Sequence, residues 1–308
     1  MSRTCATNSP DAWADVGTRG RQGDGGRGIA VTMNADESHS TRISTLLASL
    51  LGNRELIRQL TWQDIVGRYR GSMFGLAWSF LTPLFMLAVY TFVFSVVFGA
   101  RWNTTAKHGN VEFAVILFAG LAVFNLFADC VNRSPTLILN NANYVKRVVF
   151  PLEVLPIIAL GNALFHFAMN MLVWLLASLF VFGLPPWTAL ALPLVLLPLV
   201  LATLGVSWIL AALGVYLRDV SQTTSLLVTS LMFLSPIFFP LEAVPEPYRS
   251  IVLINPVGYI VESARGVLIF GRLPSPTGLL LSTAVGFLLA WFGFWCFQKT
   301  RKGFADVL

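Results

Sequence analysis

The chain has 308 residues, 56% of them hydrophobic and 12% charged, and a mean hydropathy of +0.70. That composition excludes an ordinary soluble globule of this length and predicts an all-α polytopic membrane protein. The formal net charge of +6 fits basic loops on one membrane side and anionic lipid headgroups, so it is no signature of nucleic-acid binding.

Residues 1–42 are rich in Gly, Arg, Asp and Ser and contain no apolar stretch that would serve as a signal peptide. They are predicted to be a disordered, uncleaved tail. Gly23, Gly25 and Gly28 fit G-x-G-x-x-G by letter, but no strand precedes them and no amphipathic helix follows at once, so the dinucleotide reading fails. Met33 is an alternative start, because the helical pattern begins only near Ile43; native peptides from before Met33 would exclude it.

Residues 43–73 are amphipathic and too polar to span. Leu46, Leu47, Leu50 and Leu51, then Leu56, Ile57 and Leu60, recur at helical spacing with Arg54 and Arg58 one turn apart. This predicts an interface helix in the headgroup layer, where Trp62 and Tyr69 sit beside arginines. Trp62, Ile65, Val66 and Tyr69 fall on a different face, which predicts a break near Thr61. Arg68 and Arg70 then abut an apolar run that opens with Gly71, Gly75, Trp78 and Pro83.

Six apolar runs are long enough, or nearly so, to cross a membrane: about residues 74–99, 113–132, 154–182, 190–216, 223–239 and 277–297. The fifth is the shortest and carries Ser235 and Pro236. Continuous apolarity argues against a β-barrel. Counting cations sets the orientation. Arg54, Arg58, Arg68, Arg70, Arg133, Lys146, Arg147, Arg218, Lys299, Arg301 and Lys302 fall on one side, against Arg101, Lys107, Arg249, Arg265 and Arg272 on the other. Both termini are therefore expected inside, with a transmembrane domain over 74–299 and a cytoplasmic tail over 300–308.

The segment 140–151, NNANYVKRVVFP, is a short basic elbow that ends at a proline opening the next run. Asn125, Asp129 and Arg133 recur at i, i+4 on the second run, and Asn162, His166 and Asn170 on the third. Asp129 and Arg133 are expected to pair near the inner interface, and the Asn/His line to bind helices together rather than relay protons. Residues 241–276 are half apolar and broken by Pro245, Pro247, Pro256 and Gly258. They predict two short re-entrant helices, with Glu262 and Arg265 pairing across one turn; an outer loop with one surface helix is the alternative. Cys5, Cys130 and Cys296 provide neither a disulfide framework nor metal-ligand spacing.

On the first run Phe74, Trp78, Leu81, Phe85 and Phe92 share one helical face, suited to stacking on the CH-rich faces of sugars. The chain contains no phosphate-binding loop, kinase signature, zinc-protease motif or nucleophile elbow. No catalytic or metal-binding residue is assigned, and any ATP-derived energy must come from another chain.

The succession ELIRQLTWQDIVGRYRGSMFGLAWSFLTPL, FAGLAVFNLF, NANYVKRVVFPLEVLP, LRDVSQ, SPIFFP and INPVGYIVESARGVLIFG resembles the permease subunits of ABC exporters for O-antigen, teichoic acid and capsular polysaccharide. The likeness covers roughly residues 50–297, and the tail has no counterpart. It implies a homodimer of six-span subunits in the bacterial inner membrane. Two separate ATPase subunits hold the ATP and magnesium, and an undecaprenyl-diphosphate-linked glycan is the cargo. It also implies that Asn143, Tyr144, Lys146 and Arg147 belong to an elbow seated in the ATPase. Arg68 and Arg70 meet the carrier headgroup, Trp78, Phe85, Phe92, Phe233 and Phe238 line a channel, and Glu262 and Arg265 belong to an outer gate. Three competing readings remain at this level. One is a related permease for small lipids or drugs. A second, a polyprenyl-phosphate glycosyltransferase, is disfavoured because Asp64, Asp129 and Asp219 are scattered in the sequence. The third is a purely structural or channel protein, which would not need the elbow and would survive loss of an ATPase partner.

Overall fold

The computed structural model describes residues 52–99, 109–145, 150–240, 244–248 and 255–307. The predicted tail, the first turns of the predicted interface helix, and Lys146 and Arg147 of the elbow lie outside the described residues. Within them all regular structure is helical. The principal helices are α1 (Arg54–Tyr69), α2 (Trp78–Tyr90), α3 (Gly109–Arg133), α4 (Leu155–Val181), α5 (Leu192–Tyr216), α6 (Val220–Leu234), α7 (Pro256–Leu268) and α8 (Pro276–Thr300).

Five apolar helical stretches are long enough to cross a membrane: Gly75–Val97, Val111–Asn140, Leu152–Val181, Trp187–Tyr216 and Pro276–Gly303. They coincide with five of the six expected runs, and the chain is a multi-pass membrane protein. The expected fifth run forms α6, whose 15 residues span only about 22 Å at 1.5 Å per residue. Its end is set by Ser235 and Pro236, where the backbone turns extended.

Helix α3 is the centre of the molecule. Its apolar run is buried nearly all round, while the other four long stretches leave most of their surface open, as expected for the one helix enclosed by neighbours on every side. Helices α5 and α8 pack backbone to backbone. A Cβ on Gly205 would overlap the Leu289 carbonyl, and one on Gly293 would overlap the Gly205 carbonyl. Small residues allow this approach, which in lipid replaces hydrophobic attraction by close van der Waals contact. Pro198 faces Gly286, Gly205 faces Gly293, and the Tyr216 hydroxyl donates to the Thr300 carbonyl at 3.0 Å. These contacts make α5 and α8 parallel, so the chain between them returns to the end where α8 begins.

Two local expectations are corrected. Helix α1 runs unbroken through Thr61. The two apolar faces belong to one helix, because Thr61 packs against Gly161 of α4 while Ile65 is buried further along. Arg133 does not pair with Asp129; its guanidinium Nη2 donates to both oxygens of Asp64 at 2.9 Å. Spacing within one helix identified a possible partner, but packing of α1 across α3 and α4 supplied a better one.

Candidate functional site

At the end of α1 the Asp64 carboxylate receives Arg133 from α3 and the Asn162 amide from α4, the latter at 2.6 Å. Three elements are thereby fixed by one carboxylate, which is satisfied by a charge-assisted fork and an amide donor. The Tyr69 hydroxyl lies 3.4 Å from His166 Nδ1. Burial pushes the Tyr69 phenol above its ordinary value, so it stays neutral at physiological pH. Asn162 and His166 therefore hold α1 to the bundle, and the Asn170 amide returns to the His166 carbonyl.

Beside this junction lies a cavity of about 410 Å³ lined by Gln63, Asp64, Gly67, Arg68, Arg133 and Asn162. Arg68 and Arg70 are both exposed. Gly71 and Gly75 have φ of +86° and +52°, left-handed values that favour glycine. They turn the chain from α1 into α2 within a few residues, so the two exposed arginines stand at the junction of these helices and Trp78 opens the second.

The first aromatic face is open to its surroundings. Phe85 is 67% exposed and Phe92 59%, with Trp78 also exposed and in edge contact with Phe74. Phe233 of α6 is 60% exposed and stacks on Phe238, which in turn stacks on Phe94. Phe94, a residue that sequence reasoning passed over, thus ties the Phe233–Phe238 stack to the apolar run that follows α2. The chain winds as a π-helix over Thr91–Val97. The wider turn rotates later side chains away from their 3.6-residue positions, so the face counted from Phe85 to Phe92 does not continue unchanged.

At the elbow Asn143 is exposed, and Tyr144 stacks on Phe150 with ring centroids 4.4 Å apart. Arg301, just past α8, donates to Glu153 at 2.7 Å and to the Phe150 carbonyl at 3.0 Å. Trp208 of α5 donates to the Glu153 carbonyl. The far side of the elbow is therefore clamped to α5 and to the end of α8. Sequence reasoning counted Arg301 only as a topological cation, and nothing local could have joined it to Glu153, 148 positions away.

Glu262 and Arg265 lie one turn apart on α7, 3.8 Å between Arg265 Nη1 and Glu262 Oε2. Arg265 itself is fully buried and donates to the carbonyls of Ile116, Pro236 and Ile237. The last two carbonyls lose helical partners where Pro236 ends α6, and in apolar surroundings an unpaired carbonyl is costly. The guanidinium fork is suited to satisfying several at once. Gly120 of α3 makes room, since a Cβ there would press on the guanidinium. Asn255 caps α7 by accepting from the Val257 amide and donates to Ser235 at 2.7 Å. Of the two short helices expected over 241–276, α7 is seen in full and residues 246–248 form a helical turn; residues 241–243 and 249–254 lie outside the described residues.

A bundle of long apolar helices around a buried central helix, with exposed arginines at the end of α1 and an open aromatic face on α2, has the form of a membrane transport subunit. The ABC-2 type transporter family matches residues 55–269, and the chain belongs to that family. It is 29% identical over 265 residues to the O-antigen export system permease protein RfbA of Myxococcus xanthus, covering 85% of this chain and 99% of the relative. A Klebsiella pneumoniae protein of the same name is 28% identical over 82% of this chain and 95% of its own length. The polysialic acid transport protein KpsM of Escherichia coli is 26% identical over 72% and 84%, respectively.

Proposed function

We propose that this chain is the membrane-spanning permease subunit of an ATP-driven exporter of lipid-linked polysaccharide. The observation that carries the reading is the likeness, over most of the chain, to relatives named for O-antigen export and polysialic acid transport, within a family matched over residues 55–269. The chain works as a homodimer in the bacterial inner membrane with six spans, α6 supplying the fifth, and with both termini in the cytoplasm. The parallel course of α5 and α8 supports that count. ATP and magnesium are held by two copies of a separate ATPase subunit, so this chain binds no cofactor of its own.

In this reading the ATPase pushes on the elbow at Asn143, Tyr144, Lys146 and Arg147. The Tyr144–Phe150 stack and the Arg301–Glu153 clamp pass the displacement to α5 and α8. The diphosphate of an undecaprenyl-linked glycan enters at the exposed Arg68 and Arg70, whose guanidinium groups match phosphate oxygens. The glycan then follows the face of Trp78, Phe85, Phe92, Phe233 and Phe238. Glu262 and Arg265 serve the outer gate indirectly, with Arg265 fixing α7 to α3 and to the end of α6.

Arg68→Gln with Arg70→Gln tests the entrance. Surface glycan is expected to fall about tenfold or more, since charge-assisted bonds to an anion carry about 1.5–3 kcal/mol, while the amount of inserted chain stays unchanged. Undiminished surface glycan in the double variant would exclude the headgroup role.

A further inference from the structure

Helix α3 has an uneven pattern of exposure. From Phe113 to Val131 every residue is buried except Asn125 and Asp129, and the next residue, Asn132, is exposed. The three stand at i, i+4 and i+7, which places them on one face of the helix. Between Phe113 and Asn132 the central helix thus opens to its surroundings along a single strip, and every side chain on that strip is polar. Among the described residues none of the three side chains hydrogen-bonds within the chain, and the Arg68 and Arg133 guanidinium charges act on the Asp129 carboxylate.

The strip rises about 10 Å from Asn132 to Asn125 at 1.5 Å per residue, inside a stretch long and apolar enough to span a membrane. Polar and ionisable side chains at such depth face a bundle interior or a water-filled cavity rather than lipid. The Arg68 charge reaches Asp129 in the middle of the strip, and Arg68 and Arg133, which follows Asn132, both line the cavity beside Asp64. The strip therefore begins beside the entrance cavity and climbs from it into the membrane-spanning part of α3.

We propose that Asn125, Asp129 and Asn132 form a hydroxyl-binding wall of a water-filled path, taking the polyhydroxylated chain of the cargo while the aromatic face takes its CH-rich sides. The amides donate and accept, and the carboxylate accepts. Together they can exchange hydrogen bonds with successive hydroxyl groups without demanding one sugar. This rests on the cargo reading given above.

Thiol labelling in the full complex in membranes tests the wall. Cys5, Cys130 and Cys296 are first replaced by Ala, then Asn125→Cys is compared with Leu172→Cys, an exposed apolar position on α4. A charged maleimide is expected to react at least about tenfold faster at position 125, because the reactive thiolate needs water. Equally slow reaction at both positions would overturn the proposal, as would ready disulfide formation between two Asn125→Cys chains, which would make the strip a contact between copies.

The second arm is Asn125→Val with Asn132→Val, expected to lower surface glycan about tenfold at unchanged chain abundance. Normal wild-type export with undiminished export by this variant overturns the wall alone. Absence of glycan export by the wild-type complex overturns the glycan assignment and the preceding reading together.

Discussion

Arg265→Met is expected to destabilise the folded chain by about 3–5 kcal/mol, the range for removing one partner from a buried charged network. The guanidinium donates to the carbonyls of Ile116, Pro236 and Ile237 and is wholly shielded. Met fills much of the volume but donates nothing, so the Pro236 and Ile237 carbonyls lose the side-chain donor that replaces their helical partners. Arg265→Lys should recover only part of the loss, because a single ammonium cannot reach three carbonyls in the same fork geometry. Thermal unfolding of the detergent-solubilised chain, followed by loss of the monodisperse peak, measures the effect. A midpoint for Arg265→Met equal to wild type would show that these carbonyls find other donors.

The second large effect is expected at the α5–α8 contact. In Gly293→Leu the new side chain starts from a Cβ that already overlaps the Gly205 carbonyl. The obstacle is backbone, not a flexible side-chain end, so the helices must separate along their length. A cost of about 3 kcal/mol or more is expected, at the upper end of overpacking penalties. Gly67→Ala is the matched control, since a Cβ there meets nothing within 4 Å. Membrane abundance and unfolding midpoint should drop for the first and hold for the second. Equal behaviour of the two would mean that α5 and α8 do not touch through these glycines.

What the sequence revealed and what it hid divide along a physical line. Spans are properties of continuous apolar length, so five of the six expected runs reappear as long helices. Gly71 and Gly75, visible in the sequence at the opening of the first apolar run, adopt the left-handed φ values that favour glycine. Partners far apart in sequence were not legible. Spacing could pair Asp129 with Arg133, one turn away, but not Asp64 with Arg133 across α1 and α3, nor Arg301 with Glu153. The burial of Arg265 was hidden for the same reason. Its partners are main-chain carbonyls on two other segments, and carbonyls carry no sequence signal. Phe94 was missed because it points to partners far away in sequence, Phe113 and Phe238, rather than along the face counted from Phe74 to Phe92.

The polar line on α3 shows a subtler limit. Asn125 and Asp129 were visible as a line at i, i+4, and Asn/Asp lines in membranes often bind helices together. Exposure separates the two cases. Asn162 on α4 is buried and donates to Asp64, whereas Asn125 and Asn132 are exposed positions on a helix whose apolar side chains from Phe113 to Val131 are all buried.

The most direct measurement of the central claim is the sidedness of lipid-linked glycan in cells from which this chain has been removed. The account predicts that the glycan accumulates on the cytoplasmic face and disappears from the cell surface, and that restoring the chain reverses both changes. A normal amount of surface glycan in cells lacking the chain would contradict it.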